Sequence, residues 1–179
     1  MRVLIDACVL FPTVMREVIT GAAAAGLFEA RWSDRILEEW ARATIKLGPG
    51  AETIARGEIA ALTARFPRAI VPVNAGVEQR LWLPDENDIH VLAAAVAGHC
   101  DAILTVNTKD FPKNLLAEEG VERLDPDNFL YRLWLDHPDQ MQAVGDAVLT
   151  QARALSADPW TMRSLLKKAR LPRLAKALD

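Results

Sequence analysis

The chain has only two cysteines, Cys8 and Cys100, and both sit in apolar contexts. That leaves no disulfide framework and reads as reduced core residues of a cytosolic protein. Three histidines are present, none paired at zinc-ligand spacing. Long apolar runs are missing as well. The least polar stretch, "HVLAAAVAGHC", is too short and too punctuated to span a bilayer, so no membrane association is expected. The first residues carry a single Arg, and Asp6 breaks the opening apolar run early, so a signal peptide is not expected. No internal repeat is visible, and the net charge of −3 does not by itself mark a nucleic-acid binder.

What is present is an ordinary globular composition, 51% hydrophobic and 25% charged over 179 residues. It suits one domain with an appendage. Charge is unevenly placed. From Arg153 to Asp179 there are seven Lys/Arg against two Asp, and the remainder of the chain is correspondingly acidic. This basic tail suits RNA phosphates or an acidic partner segment, although most charge-rich helices are simply solvated.

Short apolar segments alternate with helical periodicity. "RVLID", "FEARWS", "RAIVPV", "DAILTV" and "VERLD" read as strands, the last at an edge. "TVMREVITGAAAAGLF", "DRILEEWARATIKLG", "AETIARGEIAALTARF", the helix in "LPDENDIHVLAAAVAGHC" and "NLLAEEG" lie between them. Helices between apolar strands favour an α/β fold with a parallel sheet. After about residue 125 the pattern is helical throughout, which divides the chain into 1–125 and a C-terminal helical extension, 126–179. In parallel sheets, sites form beyond the carboxyl ends of strands. Asp6, Asn107 and Asp110 follow strand ends and belong at one rim.

Asp6 interrupts the apolar run "VLIDACVL". An unpaired buried carboxylate costs several kcal/mol, roughly, so Asp6 is protonated, paired, metal-bound or at a strand end. In "DRILEEWARATIKL", Ile36, Trp40, Ala43 and Leu47 centre one helix face. Glu38 falls opposite it and Glu39 at its border, so Glu39 is the acid able to reach a cleft. Asp85 suits a helix N-cap and Asp88 the first turn, where acids are commonplace. The small-residue helix that follows can hold Asp88 at the sheet rim. Thr105 reads as a strand residue able to position water or a carboxylate. Arg16 and Lys109 are the candidates nearest the rim for substrate phosphate. His90 reads as packing or surface, pointing away from Asp88, and Trp82 lies beside the acidic loop. Carboxylates gathered this closely need a cation between them, and hard oxygen donors suit Mg²⁺ or Mn²⁺.

"VLIDACVLFP", "RWSDRILEEW" and "LPDENDIHVLAAAVAGHCDAILTVNTKDFP" together resemble PIN-domain proteins, in particular the VapC-like ribonuclease toxins of toxin–antitoxin pairs. The resemblance covers roughly residues 1 to 125. It implies a three-layer α/β fold with a central parallel sheet flanked by helices. It also implies a Mg²⁺- or Mn²⁺-dependent endoribonuclease in the cytoplasm, with RNA (transfer RNA by expectation) as substrate, a cognate antitoxin as partner, and a tendency to homodimerise. By the same resemblance Asp6, Glu39 and Asp88 match the family's first three acids, with Asp6 and Asp88 as direct metal ligands. The fourth acid falls on Asn107, a departure, and Asp110 stands three residues on to supply the missing carboxylate. Two rival readings remain. One is a silent interaction module of nuclease ancestry. The other is a phosphoacceptor signalling domain, which would need an acceptor Asp where "RAIVPVNAG" has Asn74. An Asp-x-Asp phosphatase is disfavoured by Cys8 at the second position, and a Cys-x5-Arg phosphatase by the distance from Cys8 to Arg16.

Overall fold

The computed structural model describes residues 1–73 and 75–179. Asn74, weighed against the phosphoacceptor reading, lies outside the described residues. The chain forms two compact units. One comprises Met1–Phe11 with Glu29–Leu124, and the other Pro12–Phe28 with Asp125–Asp179.

The first unit holds a wholly parallel four-stranded sheet of β1 (Arg2–Ile5), β2 (Glu29–Arg31), β3 (Ala102–Leu104) and β4 (Glu122–Leu124), in the order β2-β1-β3-β4. Val3, Leu4, Ile5, Ala102, Ile103 and Leu104 are fully buried, as the near-continuous apolar runs of a sheet covered on both faces require. The fold is therefore α/β with a parallel sheet flanked by helices, followed by C-terminal helices. β1 connects onward to β2 on one side and pairs with β3 on the other, so the carboxyl ends of β1 and β3 form the topological switch point. Ile5 pairs with Leu104, which makes Asp6 and Thr105 the next residue on each strand.

Helices α1 (Ala7–Leu10), α3 (Asp34–Ala43), α4 (Ala51–Arg65), α5 (Ala75–Glu78), α6 (Ile89–Ala97) and α7 (Lys113–Glu118) belong to this unit; α2 (Thr13–Ala24) belongs to the other. Ser33, the choice left open with Asp34, caps α3 by accepting from the Ile36 N–H at 3.2 Å. α3 stops at Ala43, earlier than its periodicity predicts, and Thr44–Leu47 continue as a 3-10 turn. The tighter winding rotates Leu47 off the core face, and it is exposed. The strand expected in "RAIVPV" shrinks to one parallel bridge between Ile70 and Trp32. Trp32 N–H donates to Ala69 O and Val71 N–H to Trp32 O. Pro72 then has no N–H to continue the ladder. Ala93, Ala94 and Ala95 are fully buried, and these small side chains let α6 sit close on β1 and β3.

The second unit contains α2 (Thr13–Ala24), α8 (Pro126–Asp136), α9 (Pro138–Leu155), α10 (Met162–Lys168) and α11 (Pro172–Ala177). Residues 12–28 thus group with the C-terminal helices. α2 meets α9 through Gly21, where an added Cβ would stand 2.8 Å from Val144. Only glycine permits that approach. Among the described residues no helix is long and apolar enough to cross a membrane.

Candidate active site

The carboxyl ends of β1 and β3 gather the acids. Asp6 occupies the N-cap position of α1, yet its side chain makes no capping bond. Instead Oδ2 accepts from Thr105 Oγ1 at 2.7 Å and from the Cys8 thiol at 3.0 Å. Asp6 is 7% exposed, so these donors supply much of what water would otherwise give it. Burial, then the Asp6 charge, pushes the Cys8 thiol up to about 12. Cys8 is therefore a neutral donor to Asp6 and not a thiolate nucleophile, which further disfavours cysteine-phosphatase chemistry.

Asp85 and Asp88 are placed by one tight turn. Asp85 caps the 3-10 turn Glu86–Asp88 by accepting from the Asn87 N–H at 2.9 Å. Asp88 is at once the last residue of that turn and the N-cap of α6, and again makes no capping bond. Its carboxylate is left for the rim. There Asn107 Nδ2 donates to Asp88 Oδ2 at 3.2 Å, Asn107 Oδ1 accepts from the Asp110 N–H at 3.3 Å, and the Asn107 N–H donates to Thr105 Oγ1 at 3.0 Å. Thr105 and Asn107 thus link Asp6, Asp88 and the Asp110 turn into one network.

Burial, followed by the charges of Asp6, Asp85, Asp110 and Glu39, pushes the Asp88 carboxyl up to about 6. This is the signature of several acids facing one another without a counter-charge. Carboxylate oxygens of Asp85, Asp88 and Asp110 lie within 4.8 Å of one another. An all-oxygen donor set with excess negative charge fits a hard divalent cation. The nearest triad therefore includes Asp85, whose capping role hides it in the sequence, while Asp6 is tied to Thr105 and Cys8 instead.

Glu39 and Glu38 separate as the helix geometry predicts. Glu38 is held in exposed ion pairs with Arg56 at 2.9 Å and Arg42 at 2.7 Å, whose hydrogen bonds, Arg56's first, lower its carboxyl to about 2. Glu39 Oε1 lies 2.7 Å from His90 Nε2. His90 is 2% exposed, and neither of its ring nitrogens has a well-directed hydrogen bond. The local sequence predicts packing or surface for His90 and carries no signal of its approach to Glu39. Lys109 is exposed in the turn after β3. Arg16 lies in the other unit, 3% exposed, with Nε 3.6 Å from Glu17. Trp82 is 65% exposed.

Asn107 offers a test of this network. Asn107→Asp removes the amide donor to Asp88 and adds a fifth charge beside it. The metal-free protein is expected to lose about 1–2 kcal/mol of stability at pH 7, recovered on adding Mn²⁺. Thermal melts with and without the ion check this. An unchanged melt without metal would show that the amide does not hold Asp88.

A Mycobacterium tuberculosis protein named "Putative ribonuclease VapC50" is 40% identical over 80 residues, which is 44% of this chain and 45% of that protein. The match thus spans less than half the length of the relative. No solved structure matches. Residues 2–109, well over half of the chain, match the PIN domain family, and the chain belongs to that family.

Proposed function

We propose that the protein is a divalent-cation-dependent endoribonuclease acting in the cytoplasm, the toxin of a toxin–antitoxin pair, with RNA as substrate and a cognate antitoxin as partner. Transfer RNA is the substrate class the family resemblance favours. The observation that carries the proposal is Asp88, whose carboxyl is raised to about 6 by burial and four surrounding acids at the switch point. Such an arrangement is unfavourable for folding and makes sense as a cation site.

In this reading Asp85, Asp88 and Asp110 hold Mg²⁺ or Mn²⁺, with Asp6 and Glu39 completing the site directly or through water. The bound ion supplies Lewis acidity toward a water and neutralises charge on the phosphate. Thr105 and Cys8 fix the orientation of Asp6 through the bonds described above. Asn107 keeps Asp88 and the Asp110 turn in place. Glu39, next to His90, is available to take a proton from water. Lys109 contacts a substrate phosphate.

The test is a titration with Mn²⁺ and Mg²⁺ of the purified protein without antitoxin, following cleavage of total RNA and of isolated transfer RNA. Asp6→Asn serves as the control. Cleavage that needs the ion and is lost in Asp6→Asn is the expected result. Absence of both cleavage and calorimetric metal binding would overturn the proposal in favour of a silent interaction module.

A further inference from the structure

The second unit carries a pocket of about 370 Å³ lined by Tyr131, Trp134, Arg173, Lys176 and Ala177. Its two walls follow from helix spacing. Tyr131 and Trp134 are three apart on α8, and Arg173 and Lys176 are three apart on α11, so each pair shares one helix face. The two aromatic rings stack with centroids 5.7 Å apart and planes inclined by 24°. The Arg173 guanidinium lies 5.6 Å from the Tyr131 ring centre and is hydrogen-bonded to Asn128 Oδ1. Guanidinium, phenol and indole thus lie together.

The walls are fixed to each other before any ligand arrives. Asp127 on α8 accepts from the backbone N–H groups of Arg173 and Leu174 on α11, at 2.9–3.1 Å. The pocket is therefore preformed, which lowers the ordering cost of binding. Neither Arg173 nor Lys176 has a side-chain ion-pair partner among the described residues. Elsewhere in the same basic tail, Arg163 is neutralised by Asp179 at 2.8 Å.

Two unneutralised cations beside a stacked aromatic pair match a nucleotide, with a π face for the base and positive charge for the phosphate. The lining carries two cations and no carboxylate, so charge complementarity favours an anionic ligand with a flat group over a neutral apolar peptide. We propose that this pocket binds one nucleotide of a single-stranded RNA segment. The base stacks on the Tyr131–Trp134 pair and the phosphate is held by Arg173 and Lys176. This rests on the reading of the protein as a ribonuclease, and adds to it an RNA contact that takes no part in the chemistry.

The experiment uses the full chain in EDTA, which prevents metal-dependent cleavage. Binding of a fluorescein-labelled 12-nucleotide single-stranded RNA is followed by anisotropy from 50 to 300 mM salt, with AMP as a competitor. Arg173→Gln/Lys176→Gln is expected to weaken binding about tenfold or more. It should also flatten the slope of log K against log salt by about 0.7 for each phosphate no longer neutralised. Trp134→Ala is expected to weaken binding by roughly 5- to 100-fold with the slope retained, since stacking is removed while the phosphates stay paired. Competition by AMP at micromolar concentration would assign the pocket to a free nucleotide and overturn the RNA assignment. Wild-type affinity and slope in the double variant, with an unchanged thermal melt, would overturn the pocket, as would failure of the unsubstituted protein to bind the RNA. Binding of a poly-glutamate peptide that alone is abolished in the double variant would transfer the surface to a protein partner. Cleavage with Mn²⁺ is measured in parallel. Cleavage without pocket-dependent binding overturns this proposal only, and pocket-dependent binding with neither cleavage nor calorimetric metal binding overturns the nuclease reading only.

Discussion

Asp88→Asn is expected to abolish metal-dependent RNA cleavage while making the metal-free protein more stable. The two effects have one cause. Folding half-buries Asp88 and brings it among Asp6, Asp85, Asp110 and Glu39, and burial first, then these charges, raise its carboxyl from 3.8 to about 6. A carboxyl raised by folding holds its proton more tightly in the native state. Between about pH 4 and 6 the native state therefore binds more protons than the unfolded one, and stability falls as pH rises through that window. Above it the full cost is present. Two pH units correspond to about 3 kcal/mol, and because Asp88 is half-buried, solvent screening reduces the figure to about 1–2 kcal/mol. Asparagine removes that cost, so the melting temperature at pH 7 is expected to rise by about 3–6 °C. At pH 4, where Asp88 is protonated in the native state, the gain is expected to vanish.

Removing an outer partner of a metal ligand costs roughly 10- to 100-fold. Loss of Asp88 itself is therefore expected to cost more than about 100-fold in cleavage. Melts at pH 4 and 7 and a cleavage assay with saturating Mn²⁺ check both halves. A variant that cleaves within tenfold of the unsubstituted protein removes Asp88 from the site. One that melts lower at pH 7 shows that the acids around Asp88 are not its main burden.

The second large effect is structural. Asp127→Ala is expected to destabilise the second unit by about 2–4 kcal/mol. Asp127 is 8% exposed, and its carboxylate accepts from the N–H groups of Arg173 and Leu174. These belong to the first turn of α11, whose donors have no partners within the helix. Asp127 thus caps α11 from a different helix. Alanine removes charge-assisted bonds and leaves two donors unsatisfied beside a core of Leu171, Leu174, Ala175 and Leu178. Asp127→Asn keeps an acceptor and is expected to fall between the two. Urea denaturation followed by circular dichroism measures the loss, and limited proteolysis should show faster cutting near residues 168–172. A change below 1 kcal/mol in Asp127→Ala would mean that water replaces the cap.

The parts of this protein legible in its sequence are those with a local signature. Near-continuous apolar runs alternating with helical periodicity specify a parallel sheet, because each strand must bury both faces and each helix one. The interruption of an apolar run by Asp6 marks a strand end, and the small residues after Asp88 mark a helix that packs close. The border position of Glu39 on α3 separates it from Glu38, which the structure ties to arginines. Asp85 is visible in the sequence only as a cap because that role is local. Its place beside Asp110 depends on the turn after β3 folding back to meet it.

Only tertiary structure decided the contacts between residues far apart in the chain. Nothing periodic links Glu39 to His90, Asn107 to Asp88, or Asp127 to the first turn of α11. The sequence places Arg16 close behind Asp6, yet its side chain is buried, 3% exposed. Sequence by itself determined which segments bury and which strand ends carry acids. Packing decided which of those acids meet, because a close approach between distant segments depends on volumes and backbone geometry that no local pattern records.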